Sequence, residues 1–163
     1  RKGLDRAILG LRHLNEKNIS SNLVVIGDDK SKPYENLLTD ASLSKKVHFL
    51  GPRKDVASFM KSADLLIHPA REEAAGNIII EALVSGLPSL VTSEVGFSTE
   101  VLKFRSGTVL EGEFNQNRFN LLLEESVSDK NLFYIRSSIS NLSDNKYFFS
   151  RFKFIADFIE ETF

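Results

Sequence analysis

The sequence predicts a three-layer α/β domain, a parallel sheet with helices on both faces. Three observations predict it. Short apolar runs alternate with amphipathic stretches as far as residue 110. The runs are apolar without a polar alternation, as strands buried on both faces are. The connections are short and the helical stretches run about 8–15 residues, as βαβ units require. Right-handed crossovers then distribute the helices over both faces.

Each element follows in order. Leu4, Ala7, Ile8, Leu11 and Leu14 recur at helical spacing, with Asp5, Arg6, Arg12 and Glu16 elsewhere, and Asn18 is the stop signal. Leu23, Val24, Val25 and Ile26, ended by Gly27, form a buried strand. The spacing predicts a helix over 33–43 and a strand over 47–51. A helix follows over 55–63, with Val56, Phe59 and Met60 on one face, and a strand over 64–69. A helix over 77–85 ends at Gly86, a natural C-terminal cap. A strand over 88–92, a helix over 99–104 and a strand over 107–110 complete the alternation. Beyond residue 115 the pattern is helical only. Its stripes are Phe119, Leu122, Leu123 and Val127; then Leu132, Ile135 and Ile139; then Phe152, Ile155, Phe158, Ile159 and Phe163. Asp144-Asn145-Lys146 is the linker candidate. The aromatic last helix packs on its own domain or on a partner domain, the first being favoured.

Composition narrows the function classes. The 163 residues suit one domain with a sizeable core, here expected over 1–163. Lys plus Arg number 21 and Asp plus Glu 22, which argues against a nucleic-acid binder working by bulk charge. There is no Cys, so disulfides and thiolate metal sites are excluded. No apolar run approaches the ~18 residues of a membrane span. The chain opens on Arg1-Lys2-Gly3-Leu4-Asp5, with no initiator Met and no apolar signal region. It starts at the first turn of a helix with no strand before it. The expectation is a fragment of a longer, cytoplasmic protein.

The chemistry is concentrated in residues 67–82. A strand ends at Pro69, and a loop with Ala74, Ala75 and Gly76 leads into the helix at Asn77. Open α/β sheets bind ligands at this carboxyl end of their strands. Free backbone N–H groups near Gly76, Asn77 and Ile78 point out of the helix start and favour an anion. The small residues let a ligand approach the backbone closely. Glu81, about one turn in, suits a ribose diol. Glu73 suits sugar hydroxyls on the other side of a diphosphate. Two carboxylates flanking a diphosphate would read both ends of a sugar nucleotide.

Glu73 and Glu81, set in His68-Pro69-Ala70-x-x-Glu73-Ala74-Ala75-Gly76, with Glu81-Ala82 and Gly86-Leu87-Pro88 following, resemble the E-x7-E motif of retaining GT-B glycosyltransferases of family 4. Arg1-Lys2-Gly3 resembles that family's Arg-Lys-Gly lead-in to the first helix. Gly51-Pro52-Arg53-Lys54-Asp55-Val56 resembles its base-binding turn, and Gly96, Glu100 and Gly107 its later glycine spacing. The Ala-Ala-Gly form of the loop is that of the branch of lipopolysaccharide core glucosyltransferases. Phe97 departs from the pattern, standing where many members have a second glycine.

The resemblance implies a Rossmann-like domain, the C-terminal half of a GT-B fold, with an N-terminal acceptor domain absent from this chain. It implies that Arg1 and Lys2 contact the donor diphosphate and that Glu81 binds ribose. Glu73 is then the candidate catalytic residue, gripping the transferred hexose. The backbone of Ala74, Ala75, Gly76, Asn77 and Ile78 grips the phosphates, and the turn at Arg53 receives the base. No metal and no cofactor beyond a UDP-sugar donor are expected. The implied reaction moves a hexose, glucose in that branch, with retention, to a lipopolysaccharide core or related glycan or glycolipid acceptor. The place implied is the cytoplasm, at the inner membrane's cytoplasmic face for the full protein.

Other readings are a sugar-nucleotide epimerase half of the same architecture and a non-catalytic nucleotide-binding module. Glu73 and Glu81 as plain surface carboxylates, and Arg1 and Lys2 as solvated chain-end residues, are the simplest alternatives. His68 reads first as a core histidine. A receiver domain needs an Asp where the third strand ends, and that strand ends His68-Pro69. A dinucleotide site needs G-x-G-x-x-G, which Gly27-Asp28-Asp29 does not supply.

Overall fold

A computed structural model describes residues 1–28 and 31–142. The stripe over 152–163, the Asp144-Asn145-Lys146 linker and Asp29 lie outside the described residues. The elements run α1 (Leu4–Glu16), β1 (Leu23–Ile26), a 3-10 turn (Lys32–Leu37), α2 (Ala41–Ser44) and β2 (Val47–Gly51). They continue with α3 (Val56–Ser62), β3 (Leu66–His68), α4 (Asn77–Val84), β4 (Ser89–Thr92), α5 (Ser98–Lys103) and β5 (Gly107–Leu110). Then α6 (Gln116–Ser126) and α7 (Asp129–Ser140) close the described chain.

Every strand pair is parallel. Leu23 lies opposite Val47, Leu66 opposite Ser89, and Ser89 opposite Gly107. The expected single sheet is divided among the described residues into two ladders, β1–β2 and β3–β4–β5. β3 is also shorter than its apolar run. Pro69 has no N–H to donate to a ladder, so pairing stops at His68.

Helix α1 spans the division. Its Ile8 and Leu11 pack with Val25, Leu43 and Val47 of the first ladder. Its Leu14 packs with Leu90, Leu110, Phe119 and Leu123 of the second. The alternation along β4 and β5 shows the three layers. Leu90 and Leu110 face α1 and α6. Val91 and Val109 face the opposite side, with Ile79 of α4 and Val101 of α5. Neighbouring side chains of a strand point to opposite faces, so both faces are covered. On that second side, Ile80 and Leu83 of α4 also meet Ile135 and Ile139 of α7.

The helix ends follow local chemistry. Asn18 takes φ 58° beyond α1, and Ile19 N–H donates back to Leu14 O at 2.9 Å. Gly86 takes φ 75° beyond α4, and Leu87 N–H donates to Ala82 O at 2.8 Å, a Schellman-type close. The helix expected over 33–43 is broken. The Asp40 carboxylate accepts from Ser42 N–H at 2.7 Å, which caps a new helix and interrupts the old one.

Because Leu14 is fully buried at the seam between α1, the second ladder and α6, Leu14→Ala removes core volume that neither ladder can refill. Urea denaturation is expected to show a loss of about 2–5 kcal/mol.

Candidate functional site

The site forms where β3 and β4 end. Residues 69–76 lead from β3 into α4, and residues 93–97 lead from β4 into α5. The two loops brace each other. Glu73 N–H donates to Glu94 O at 3.0 Å, Gly96 N–H to Glu73 O at 3.0 Å, and Phe97 N–H to Ala75 O at 2.9 Å. Two glycines make the approach possible. A Cβ at Gly96 would lie 2.1 Å from Ala74 O. One at Gly76, whose φ is 76°, would lie 2.3 Å from Val95 Cγ1. From behind, Thr92 Oγ1 donates to Ala70 O at 2.7 Å.

Gly76 is the N-cap of α4 and supplies no side chain to cap it. Ile79 N–H turns back to Gly76 O at 2.9 Å. Among the described residues, no acceptor meets the backbone N–H groups of Ala74, Ala75, Gly76, Asn77 and Ile78. A helix start with open donors and small side chains is a ready anion site.

The chain start lies against this loop. Gly3 takes φ 78°, and a Cβ there would lie 2.0 Å from Pro69 O. The Arg6 guanidinium donates to Pro69 O and Ala70 O at 3.1 and 3.2 Å, and it stacks 3.6 Å from the Phe114 ring centroid. The Arg71 guanidinium grips Asp5 with two bonds of 2.8 and 2.6 Å, and Arg71 N–H donates to Arg1 O at 2.9 Å. Lys2 thereby reaches Glu73, and Nζ and Oε2 form an ion pair. The Lys2 hydrogen bond holds the Glu73 carboxyl below its usual range, with the Arg1 charge adding to the effect. Arg1 and Lys2 are exposed.

Glu81 projects from the second turn of α4 and is half-buried. Burial pushes its carboxyl up, and no positive neighbour opposes that. His68 is buried, and its Nε2 has no hydrogen-bond partner among the described residues. Burial, and then the Lys2 charge, push His68 down, so the ring is held neutral. Arg53 stands apart. It is exposed after β2, bonds to Asp55 at 2.8 Å twice, and lies over Phe59. None of its hydrogen bonds reaches the β3–α4 loop. Among the described residues, no group of three or more His, Asp or Glu side chains is arranged to hold a metal ion.

The structure brings the expected Lys2, Glu73, Ala-Ala-Gly loop and Glu81 to one sheet end and leaves Arg53 apart. Asp5, Arg6 and Arg71, which join them there, had no site role in the sequence reading: Asp5 and Arg6 were placed among the polar residues of the first helix. Nothing local links two residues so far apart in the chain.

The fold is that of the Rossmann-like halves of GT-B glycosyltransferases. Residues 1–141 match the family described as glycosyl transferases group 1, and the chain belongs to that family. It is 38% identical over 133 residues to the lipopolysaccharide glucosyltransferase WaaG of Escherichia coli K12, a match covering 81% of this chain and 36% of WaaG. The crystal structure of WaaG, described as a glycosyltransferase involved in lipopolysaccharide biosynthesis, matches with a TM-score of 0.85 at 34% identity. That match covers 98% of this chain and 44% of the other. Anabaena HepE in complex with UDP-glucose shares the fold, with a TM-score of 0.68 at 20% identity over 94% of this chain and 44% of HepE. The chain therefore spans less than half the length of these proteins. No described helix is long and apolar enough to cross a membrane.

Since Lys2 is the largest influence on Glu73, Lys2→Ala is expected to return the Glu73 carboxyl toward the ordinary glutamate value. A carboxyl-detected NMR titration reads this. An unmoved Glu73 titration would mean that the pair does not form in solution.

Proposed function

We propose that this domain binds the sugar-nucleotide donor of a hexosyltransferase, and that the donor is a UDP-sugar. The observation that carries the reading is the meeting of three features at one sheet end. They are the open N–H groups of 74–78, the Lys2–Glu73 pair beside them, and the half-buried Glu81 one turn further on. A diphosphate is drawn to the helix start and to Lys2 and Arg1. Ribose hydroxyls donate to Glu81. Hexose hydroxyls donate to Glu73. Arg53 and its turn border the base.

The chemistry follows from charge. Cleaving the bond between the anomeric carbon and the phosphate oxygen leaves negative charge on the departing diphosphate. Fixed N–H donors and nearby cations stabilise that charge, by about 3–4 kcal/mol per well-placed donor in a water-excluded site. The sugar passes through an oxocarbenium-like state, and transfer retains its configuration. No side chain is assigned as a base, and no metal is required. Kinship with WaaG, a lipopolysaccharide glucosyltransferase, supports glucose as the hexose and lipopolysaccharide as the acceptor class; in this reading the acceptor is held by a second domain. HepE, of the same fold, takes UDP-glucose, which supports the choice of donor.

Calorimetry of UDP, GDP and ADP with the 163-residue chain, with and without glucose and in EDTA, tests the donor reading. UDP or UDP-glucose should bind most tightly without metal. Equal weak binding of all three, or a strict need for a divalent cation, would overturn it.

Glu81 provides a sharper check. Hydrogen bonds to a charged carboxylate favour its ionised form, so ribose binding should pull the raised Glu81 value down. Affinity should then be full above the raised value and fall as pH drops through it. Glu81→Gln should remove that part of the pH dependence. Glu81→Ala should weaken UDP-glucose about tenfold or more, from the loss of charged hydrogen bonds. Affinity unchanged within about twofold would rule out the ribose role.

A further inference from the structure

Arg71 lies two residues before Glu73, and a cation in that loop invites assignment as a phosphate ligand. Its contacts point elsewhere. The guanidinium is engaged by Asp5 through two parallel bonds of 2.8 and 2.6 Å, the bidentate form that fixes orientation as well as distance. Its backbone N–H is engaged by Arg1 O at 2.9 Å. One residue therefore ties the donor loop to the first turn of α1 and to the segment before it. Lys2 and Gly3 sit between those two ties.

We propose that Arg71 is a positioning residue: with Asp5 it clamps the chain start to the donor loop and holds Lys2 against Glu73. The need is physical. Arg1 and Lys2 are exposed and precede α1, outside its hydrogen-bond ladder, so their placement rests on contacts from other segments. Arg6 fixes only Pro69 and Ala70, at the beginning of the loop. Further along the loop, Glu73 is held by loop 93–97, and Arg71 links that stretch to Asp5 and Arg1 through its guanidinium and its backbone N–H. Exposed ion pairs contribute little as a rule, and well-ordered bidentate pairs are the exception. The consequence for ligand binding rests on the donor reading above, whereas the clamp itself does not.

The test compares the wild-type chain with Arg71→Ala, Arg71→Lys, Asp5→Asn and the Arg71→Ala/Asp5→Asn double variant. Two quantities are read, the Glu73 titration by NMR and UDP-glucose affinity by calorimetry. By charge alone, Asp5→Asn removes an anion and should move Glu73 down. The clamp predicts the opposite, a rise toward the Lys2→Ala value, because Lys2 is released. It also predicts that Arg71→Ala and Asp5→Asn each bind UDP-glucose about fivefold more weakly, the upper range of a surface pair. The double variant should be no weaker than either single one, and Arg71→Lys should fall between wild type and Arg71→Ala. If Arg71 instead touched phosphate, Asp5→Asn would free it, and affinity would hold or rise. That outcome, or a Glu73 titration unmoved in both single variants, overturns the proposal. If the wild type binds no nucleotide, the donor reading fails while the Glu73 titration still decides the clamp.

Discussion

The site depends on how closely the start of α1 lies to the end of β3. Gly3 rests against the Pro69 carbonyl at a distance no side chain would allow, and Arg6 closes the gap by donating to Pro69 O and Ala70 O. α1 is in turn fixed by the core, with Ile8 and Leu11 in one ladder's packing and Leu14 in the other's. A helix wedged across two ladders has little freedom to rotate or slide. The position of Lys2 is thus inherited from the burial of Ile8, Leu11 and Leu14 further along α1. The hydrophobic effect sets the frame, and hydrogen bonds aim the charge within it.

Electrostatics divides the two glutamates. Both lie around the same helix start, yet Glu73 is lowered by Lys2 and Glu81 is raised by burial. Glu73 has a cation beside it before any ligand arrives. Glu81 has none, so its ionised form gains most from donors that a ligand brings. His68, buried at the end of β3, is pushed toward its neutral form by burial and by the Lys2 charge. The positive side of the site is then left to Lys2, Arg1 and the N-terminus of α4.

Much of this was legible in the sequence because it was local. β4, buried along its length, showed as a short apolar run, whereas the run over β1, read the same way, leaves Val24 exposed because that face of the strand is not covered. Gly86 and Asn18 marked helix ends, and the Glu73–Glu81 segment carried its chemistry in one short stretch. What depended on distant partners was not. The pairing of Asp5 with Arg71 has no trace in spacing, because each position read alone is an ordinary helix-start acid and an ordinary loop base. The division of the sheet was hidden as well, since apolar runs specify burial and leave the partner open. The break over 38–40 was in principle readable. Asp40 followed by Ser42 carries a capping signal, and the helix it caps starts at Ala41, inside the span expected to be one helix.

Phe97 shows how a departure from the family's pattern is absorbed. The pattern this sequence resembles has a second glycine there, and this chain puts a ring at the start of α5. The ring packs with two core groups, that of Ile80 and Ile135 and that of Ile79 and Val91. The Phe97 backbone N–H still donates to Ala75 O, so the loop keeps its contact with the donor segment while gaining an apolar anchor. Loop 93–97 is then held from both sides, by its ring in the core and by its backbone on Glu73 and Ala75. Donors fixed before the ligand arrives need no ordering at the moment of binding, and that is the condition under which backbone N–H groups act strongly on charge. The glycine that remains, Gly96, is the one whose Cβ the Ala74 carbonyl would exclude. Freedom was kept where two backbones must touch and exchanged for burial one residue later.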